Sequence, residues 1–354
     1  MTKIFISDIK ADEDFVSSSK TIRIGTSGNV KIQTPMKPSL KGMNGTSAVR
    51  EIYRKIKPSV IDLCLNNSAY DSEYGSTTGS MRDPNALNIF TLAYDSKNVI
   101  PTDNQIKQMS DIQYNNTDVV VLPSWFRLIK ECDRSQVELY LELSDKFYNY
   151  SSFRNHKPVI AAIPSCIPND KIEGVLKHFV EMDITTFILD FNGRSMINGT
   201  WLRNFTREWD SYKLEKEGFL YSINSYQGVD KKNVGNYEAK DFLGFLAGID
   251  LVGDKHEVYG GSNEPSEMNH TKVFSAGTYC YQKVFCPTKE FEKYKVKSID
   301  NQIRELANVR DHLTHGERLL EVVETKSLDP KTVSSLRSFK SEKSVVKKHL
   351  DDFF

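Results

Sequence analysis

The stretch 158–192, PVIAAIPSCIPNDKIEGVLKHFVEMDITTFILDFN, constrains the fold more than any other part of the chain, because it reads as a complete strand, helix, strand unit. Pro158 to Ile163 is a short apolar run bounded by prolines, and Thr185 to Phe191 is a second one. Between them, Lys171 to Glu181 puts Ile172, Val175, Leu176 and Phe179 on one helical face. Two strands joined by one helix lie parallel, with a right-handed crossover. The second strand runs into Asp190-Phe191-Asn192-Gly193-Arg194, which delivers polar groups to the carboxyl end of a buried strand. α/β barrels and open sheets build their sites at that end. Asp190 and Asn192 are therefore candidate substrate-binding residues, with a cap or turn role as the bland alternative.

The same alternation extends in both directions. Asn88 to Tyr94 reads as a strand, Thr102 to Gln113 as a helix, Asp118 to Leu122 as a strand and Ser135 to Asn149 as an amphipathic helix. Beyond the central unit come a helix at Thr200 to Trp209, a strand at Gly218 to Asn224, a helix at Asn236 to Ala247 and a strand at Asp250 to Val252. Repeated alternation of this kind favours an α/β fold, a (β/α)₈ TIM-type barrel, with an open doubly wound sheet as the alternative. In front of it, residues 20–40 alternate around Ser27-Gly28-Asn29 and predict a hairpin, Thr21 to Gly25 against Val30 to Thr34. Ser47 to Lys57 reads as helical, Val60 to Leu65 as a strand, and Asn66 to Asn85 as a loop.

After the alternating region, Asn269 to Phe285 is aromatic and partly alternating. Ser298 to Glu324 follows as a long helix striped by Ile303, Leu306, Val309, Leu313 and Leu320. Residues 1–325 thus form the main body and residues 326–354 a short basic helical tail carrying Lys340, Lys343, Lys347, Lys348 and His349. That tail reads as a solvated face before a nucleic-acid contact.

Composition bounds the partners. Lys+Arg and Asp+Glu balance at 47 each in 354 residues, so no global field draws in nucleic acid or acidic membrane, although a local basic face is compatible with the balance. The five cysteines, Cys64, Cys132, Cys166, Cys280 and Cys286, are scattered, which suits a reducing compartment better than a disulfide framework. The acidic start MTKIFISDIKADEDF lacks the apolar core of a signal peptide, and the expectation is a soluble cytoplasmic protein with no membrane partner.

Arg23-Ile24-Gly25, the glycine-centred turn, and Ile32-Gln33-Thr34-Pro35 with Pro38 nearby resemble the opening of tRNA-guanine transglycosylases, especially the archaeal kind. The resemblance extends over residues 20–325, mostly in order and spacing. It implies a hairpin laid against a (β/α)₈ barrel. The implied activity is that of a transferase, a ribosyltransferase that exchanges a guanine or 7-deazaguanine base within a polynucleotide, most naturally tRNA. A DNA-directed exchanger and a non-catalytic subunit that holds nucleic acid or a catalytic paralogue are the alternatives, and the assembly implied is a homodimer or heterodimer.

Such exchange needs a nucleophile for the anomeric carbon and a group that handles the proton of the departing base, and carboxylates suit both tasks. The family's first aspartate opens an Asp-Ser-Gly-Gly motif; here Leu92-Ala93-Tyr94-Asp95-Ser96-Lys97-Asn98 matches it at Asp95 and Ser96 and lacks the glycines. Asp95 is the implied base-binding or proton-handling group and Ser96 a substrate contact, with a plain turn after a strand as the alternative. The second aspartate belongs to a Gly-x-Asp-x-Phe-Asp segment, matched by Gly248-Ile249-Asp250-Leu251-Val252-Gly253-Asp254. The nucleophile's position falls on Gly253, and a one-residue slip through a bulge would bring up Asp254. The family's Gly-Gly strand end corresponds to Leu189-Asp190. The structural zinc of typical members needs three cysteines and a histidine, whereas Cys280, Cys286 and His270 are too few and misspaced, so neither metal nor cofactor is expected.

Overall fold

The computed structural model describes residues 3–25, 30–130, 133–154, 156–229, 235–256 and 268–351. The chain is a mixed α/β protein whose centre is a parallel five-stranded sheet. Three strands lead in: β1 (Ile4–Ala11), β2 (Ser18–Ile24) and β3 (Val30–Thr34), paired antiparallel in the order β1-β2-β3. The expected hairpin is β2 and β3, with Ile22 opposite Ile32, while its Ser27-Gly28-Asn29 turn lies outside the described residues. β4 (Val49–Ile56) follows, then α1 (Pro58–Asn66), α2 (Ser68–Gly79) and β5 (Leu87–Tyr94).

These elements correct three expectations. Val49, Ile52, Tyr53 and Ile56 recur at helical spacing, yet 49–56 is a strand, paired in parallel with β5 over its whole length. Its arginines meet partners from distant parts of the chain: Arg50 pairs with Asp83 at 3.4 Å and Arg54 lies over the Tyr74 ring at 3.8 Å. The apolar run 60–65 is part of α1, opened by Pro58 at its first turn, with Ile61 and Cys64 buried one turn apart. The stretch read as a loop contains α2, whose amino end is capped by the Asn67 carboxamide accepting from Ala69 and Tyr70.

The regular beat then runs as the sequence suggests: α3 (Asp103–Asn116), β6 (Val120–Leu122), α4 (Arg134–Ser152), β7 (Val159–Pro164), α5 (Ile172–Glu181), β8 (Phe187–Asp190), α6 (Trp201–Ser211) and β9 (Leu220–Ile223). A capping box of Thr102 and Gln105 starts α3. The segment expected to be a helix at 236–247 instead gives β10 (Asn236–Glu238) and a 3₁₀ turn, Phe242–Ala247, stopped by Gly248 at φ +92°. β11 (Leu251–Val252) completes the parallel sheet in the order β11-β9-β8-β7-β6. β12 (Met268–Ser275) and β13 (Cys280–Pro287) form a hairpin whose outer partner is β10.

The long carboxyl-terminal helix begins earlier than its stripe suggests and breaks at Gly316, giving α7 (Phe291–His315) and α8 (Leu319–Glu324). α9 (Pro330–Asp351) is tied into the body, since Leu336 and Phe339 are buried in the main core and Ser335 accepts from Arg203 at 2.9 Å. Cys280 and Cys286 sit at opposite ends of β13, about 20 Å apart at the usual rise per residue, too far to share one ion. Among the described residues no helix is long and apolar enough to cross a membrane.

Alternation along the strands divides the apolar side chains between two clusters. Phe187, Leu189, Leu220 and Val252 face the helices in the larger one. Ile188, Tyr221, Ile223 and Leu251 face the other side, where Ile22, Ile24 and Ile32 of the leading hairpin join them. Hydrogen bonding also continues past both edges of the five-stranded sheet. A parallel bridge joins Val119, ahead of β6, to Ile89 of β5. On the far side Met36 bridges Leu251 of β11, and Ser39 bridges Arg50 of β4.

Candidate functional site

All these parallel strands deliver their carboxyl ends to one edge of the molecule, and the candidate residues gather there. Asp190 closes β8 and is buried. Its Oδ2 accepts from the Ser124 hydroxyl at 3.0 Å, and its Oδ1 accepts from Asn224 Nδ2 at 3.1 Å and from the Asn192 N–H at 3.2 Å. Asn192 adopts φ +47°, so the turn reading and the site reading coincide at this corner.

Asp254 reaches the same edge by an interruption of the ladder. Gly253 N–H donates to the Ser222 carbonyl at 2.8 Å, and a regular parallel ladder would next run from Asn224 N–H to the Gly253 carbonyl. Instead Asn224 N–H donates to the Asp254 carbonyl at 3.0 Å, and the displaced Gly253 carbonyl accepts from Lys37 Nζ at 2.7 Å. One extra residue is thus inserted, a bulge of the kind that re-aims a side chain. Glycine is required at 253, since a Cβ there would lie 2.2 Å from the Ser222 carbonyl and 2.5 Å from Glu51 Oε2. The Glu51 carboxylate occupies the space that a larger side chain at 253 would need.

Asp254 is buried, with Lys37 and Lys295 ammonium groups each 3.9 Å from its carboxylate. Burial pushes its carboxyl up; the charges of Lys37, His256 and Lys295 and the Lys255 N–H outweigh that, and the net direction is below the usual carboxylate range. An ionised carboxylate held by two loosely placed cations retains lone pairs for a reacting carbon.

The centre of the cluster is a residue that sequence reasoning passed over. Glu51, on β4, is buried; its Oε1 accepts from Asp254 N–H at 3.0 Å and lies 2.5 Å from His256 Nε2, and its Oε2 accepts from the Tyr221 hydroxyl. Burial pushes the Tyr221 phenol well up and neighbouring Glu51 pushes it further, so it stays a donor. The His256 ring stacks on Tyr53 with centroids 4.5 Å apart and planes 3° from parallel. The Asn224 carboxamide completes the chain of contacts, since its Oδ1 accepts from His256 N–H at 2.9 Å while its Nδ2 serves Asp190.

The structure therefore joins Asp190, Asn192 and Asp254 into one hydrogen-bonded group through Asn224 and Glu51. Asp95 and Ser96 stand outside this group, after β5 on the same edge. Asp95 N–H donates to the Ile56 carbonyl, and its carboxylate is 2.6 Å from Arg127 Nη1. The Ser96 hydroxyl accepts from Val99 N–H at 3.1 Å, as a turn residue does. Glu51 was legible only if 49–56 is taken as a strand, for then Val49, Glu51 and Tyr53 share a face. Asn224, at a strand's carboxyl end, and His256, two residues past Asp254, carried weaker positional signals. No protein-family model and no curated protein matches this chain.

Proposed function

We propose that the chain is a base-exchanging ribosyltransferase of the tRNA-guanine transglycosylase kind, built on a (β/α)₈ barrel. The bridges beyond both sheet edges support the barrel: the 36–39 segment, β4, β5, β6, β7, β8, β9 and β11 follow one another, each linked in parallel to the next, with Ser39 joining the segment to β4 and Met36 returning the path from Leu251 of β11. A core face filled by Ile, Val and Leu from alternate strand positions, with the leading hairpin against it, agrees with that closure.

In this reading Asp254 is the nucleophile. Its carboxylate attacks the anomeric carbon as the bond to the departing base breaks, and the incoming base displaces it in the second half. The observation that carries the proposal is the bulge at Gly253-Asp254, which gives an ionised, lysine-flanked carboxylate at the carboxyl end of the strand that the resemblance designates. Asp95 and Ser96, on the same edge, serve the base; Asp190 and Asn192 serve the sugar or base. The substrate is a polynucleotide, tRNA before DNA, with guanine or a 7-deazaguanine as the exchanged base.

The second reading is a non-catalytic subunit holding nucleic acid or a catalytic paralogue on the same scaffold. It is favoured by the direct stacking of His256 on Tyr53, which leaves no space for a base between those rings. Exchange of labelled guanine into tRNA and into duplex DNA, by wild type and Asp254→Ala, each alone and with any co-purifying protein, separates the two. The first reading expects exchange by wild type that Asp254→Ala abolishes with nucleic-acid binding nearly intact. Exchange that persists in Asp254→Ala removes the nucleophile, and wild type inactive in every pairing leaves the subunit reading.

A further inference from the structure

We infer that His256 is the proton carrier of this site and that Glu51 positions it, a deepening that rests on the base-exchange reading above. His256 is held at three points. Nε2 lies 2.5 Å from Glu51 Oε1, the ring plane is stacked on Tyr53, and the backbone N–H is anchored on Asn224. A carboxylate is acceptor only, so the contact with Glu51 requires a proton on Nε2 and leaves Nδ1 as the nitrogen that gains and loses one. Among the described residues Nδ1 has no hydrogen-bond partner, and His256 is part-buried, with its side chain 16 % exposed. Glu51 also accepts the backbone N–H of Asp254, so the group that aims the imidazole fixes the segment bearing the nucleophile. A carboxylate orienting an imidazole beside a nucleophile is the general arrangement of acid–base assisted displacement.

The step balances without a co-reactant. Asp254 forms a bond to the anomeric carbon, the electron pair of the carbon–nitrogen bond leaves with the base, and the proton on His256 Nδ1 passes to the base nitrogen. The neutral imidazole then takes the proton of the incoming base as its nitrogen displaces Asp254. The charged and titratable groups facing this exchange are Glu51 from β4, Tyr221 from β9, Asp254 and Lys255 on the same segment, Lys37 ahead of β4, and Lys295 from α7. Lys272 of β12 feels the charges of Asp241, Lys255 and Asp254.

The test measures guanine exchange against pH for wild type, His256→Gln, His256→Phe and Glu51→Gln, beside ¹⁵N NMR of the imidazole in the full chain. His256→Phe keeps a ring to stack on Tyr53, and thermal melting of each variant checks that it folds. The expected result is a kcat lower by roughly 10²–10⁴-fold in both His256 variants with KM little changed, and loss of the pH limb that His256 supplies. Glu51→Gln is expected to shift that limb and to move the Nε2 resonance, which a merely structural role for Glu51 would leave in place. Wild-type exchange that His256→Gln and His256→Phe match within twofold overturns the assignment and spares the base-exchange reading. An Nδ1–H tautomer, or an Nε2 resonance indifferent to Glu51→Gln, overturns the positioning role of Glu51. Absence of exchange by wild type in every pairing overturns the parent reading and this one with it.

Discussion

Asp250 and Asp254 flank the same short strand, both are buried, and they are held in opposite ways. Asp250 is bonded at both oxygens: Oδ2 takes the Lys20 ammonium at 3.0 Å and the Leu220 N–H at 2.9 Å, and Oδ1 takes the Thr34 hydroxyl at 3.3 Å. The Lys20 ammonium also lies 5.1 Å from the centre of the Trp209 ring. These contacts pin β2 and β3 of the leading hairpin to the amino ends of β9 and β11. Asp254 has its two lysines at 3.9 Å each, beyond hydrogen-bond reach, on a bulge. A buried carboxylate with both oxygens matched at short range has a structural role. One kept ionised by charges at longer range is electrostatically supported and still able to react.

The largest expected effect follows from that contrast. Asp250→Ala removes the partner of a buried lysine, and breaking such a pair costs about 3–5 kcal/mol. Asp254→Ala should cost distinctly less, because Lys37 keeps its bond to the Gly253 carbonyl and Lys295 is partly exposed. Urea unfolding of the two variants side by side measures the difference. Equal losses would erase the distinction between the two aspartates.

Next in size is Gly253→Ala. The added methyl would meet the Ser222 carbonyl and the Glu51 carboxylate at distances no Cβ tolerates, so β11 or β4 must shift, at about 1–3 kcal/mol. Because Glu51 holds the Asp254 N–H, the shift should reach the bulge, and base exchange should fall by more than the stability loss explains. Thermal melts paired with exchange rates read both. A variant with wild-type melting would mean that Glu51 moves aside freely and does not fix the bulge.

The same comparison shows what the sequence made legible. The parallel beat from β5 to β9 could be read because each strand is an apolar run and each helix has one buried face, both set by local spacing. The stretch 49–56 misled because Val49, Ile52, Tyr53 and Ile56 fit a helix as well as a strand buried on both faces. Only pairing with β5 and the remote partners Asp83, Tyr74 and Tyr221 decide between them, and these are tertiary facts. Helix α2 was hidden for a related reason: SAYDSEYGSTTG has little amphipathic pattern, and it is the Asn67 cap and the contact of Arg54 with Tyr74 that anchor it. At the site, Asp190 and Asn192 were visible as polar residues ending an apolar strand, whereas Asp254 came into view only through the resemblance. Glu51 was not, since its importance lies in contacts with residues some 170 and 205 positions away.

The smallest expected effect tests the electrostatic half of the comparison. The folded-state carboxyl of Asp254 lies below its ordinary value of 3.8, burial opposing and Lys37, His256 and Lys295 prevailing. A depressed carboxyl contributes stability that is present above the unfolded-state value and is lost as pH falls through the folded-state one. Asp254→Asn removes that contribution while keeping size and shape. Its stability gap from wild type should therefore be greatest near neutral pH, begin to close below about pH 4, and be smallest once the wild-type carboxyl is protonated. Urea midpoints at a series of pH values down to the acid limb trace the closure, and added salt should narrow the neutral-pH gap through the partly exposed Lys295 more than through buried Lys37. A gap that stays constant across the acid range would mean that the lysines do not hold the charge on Asp254, and the bulge would then carry a side chain with no more chemical readiness than Asp250.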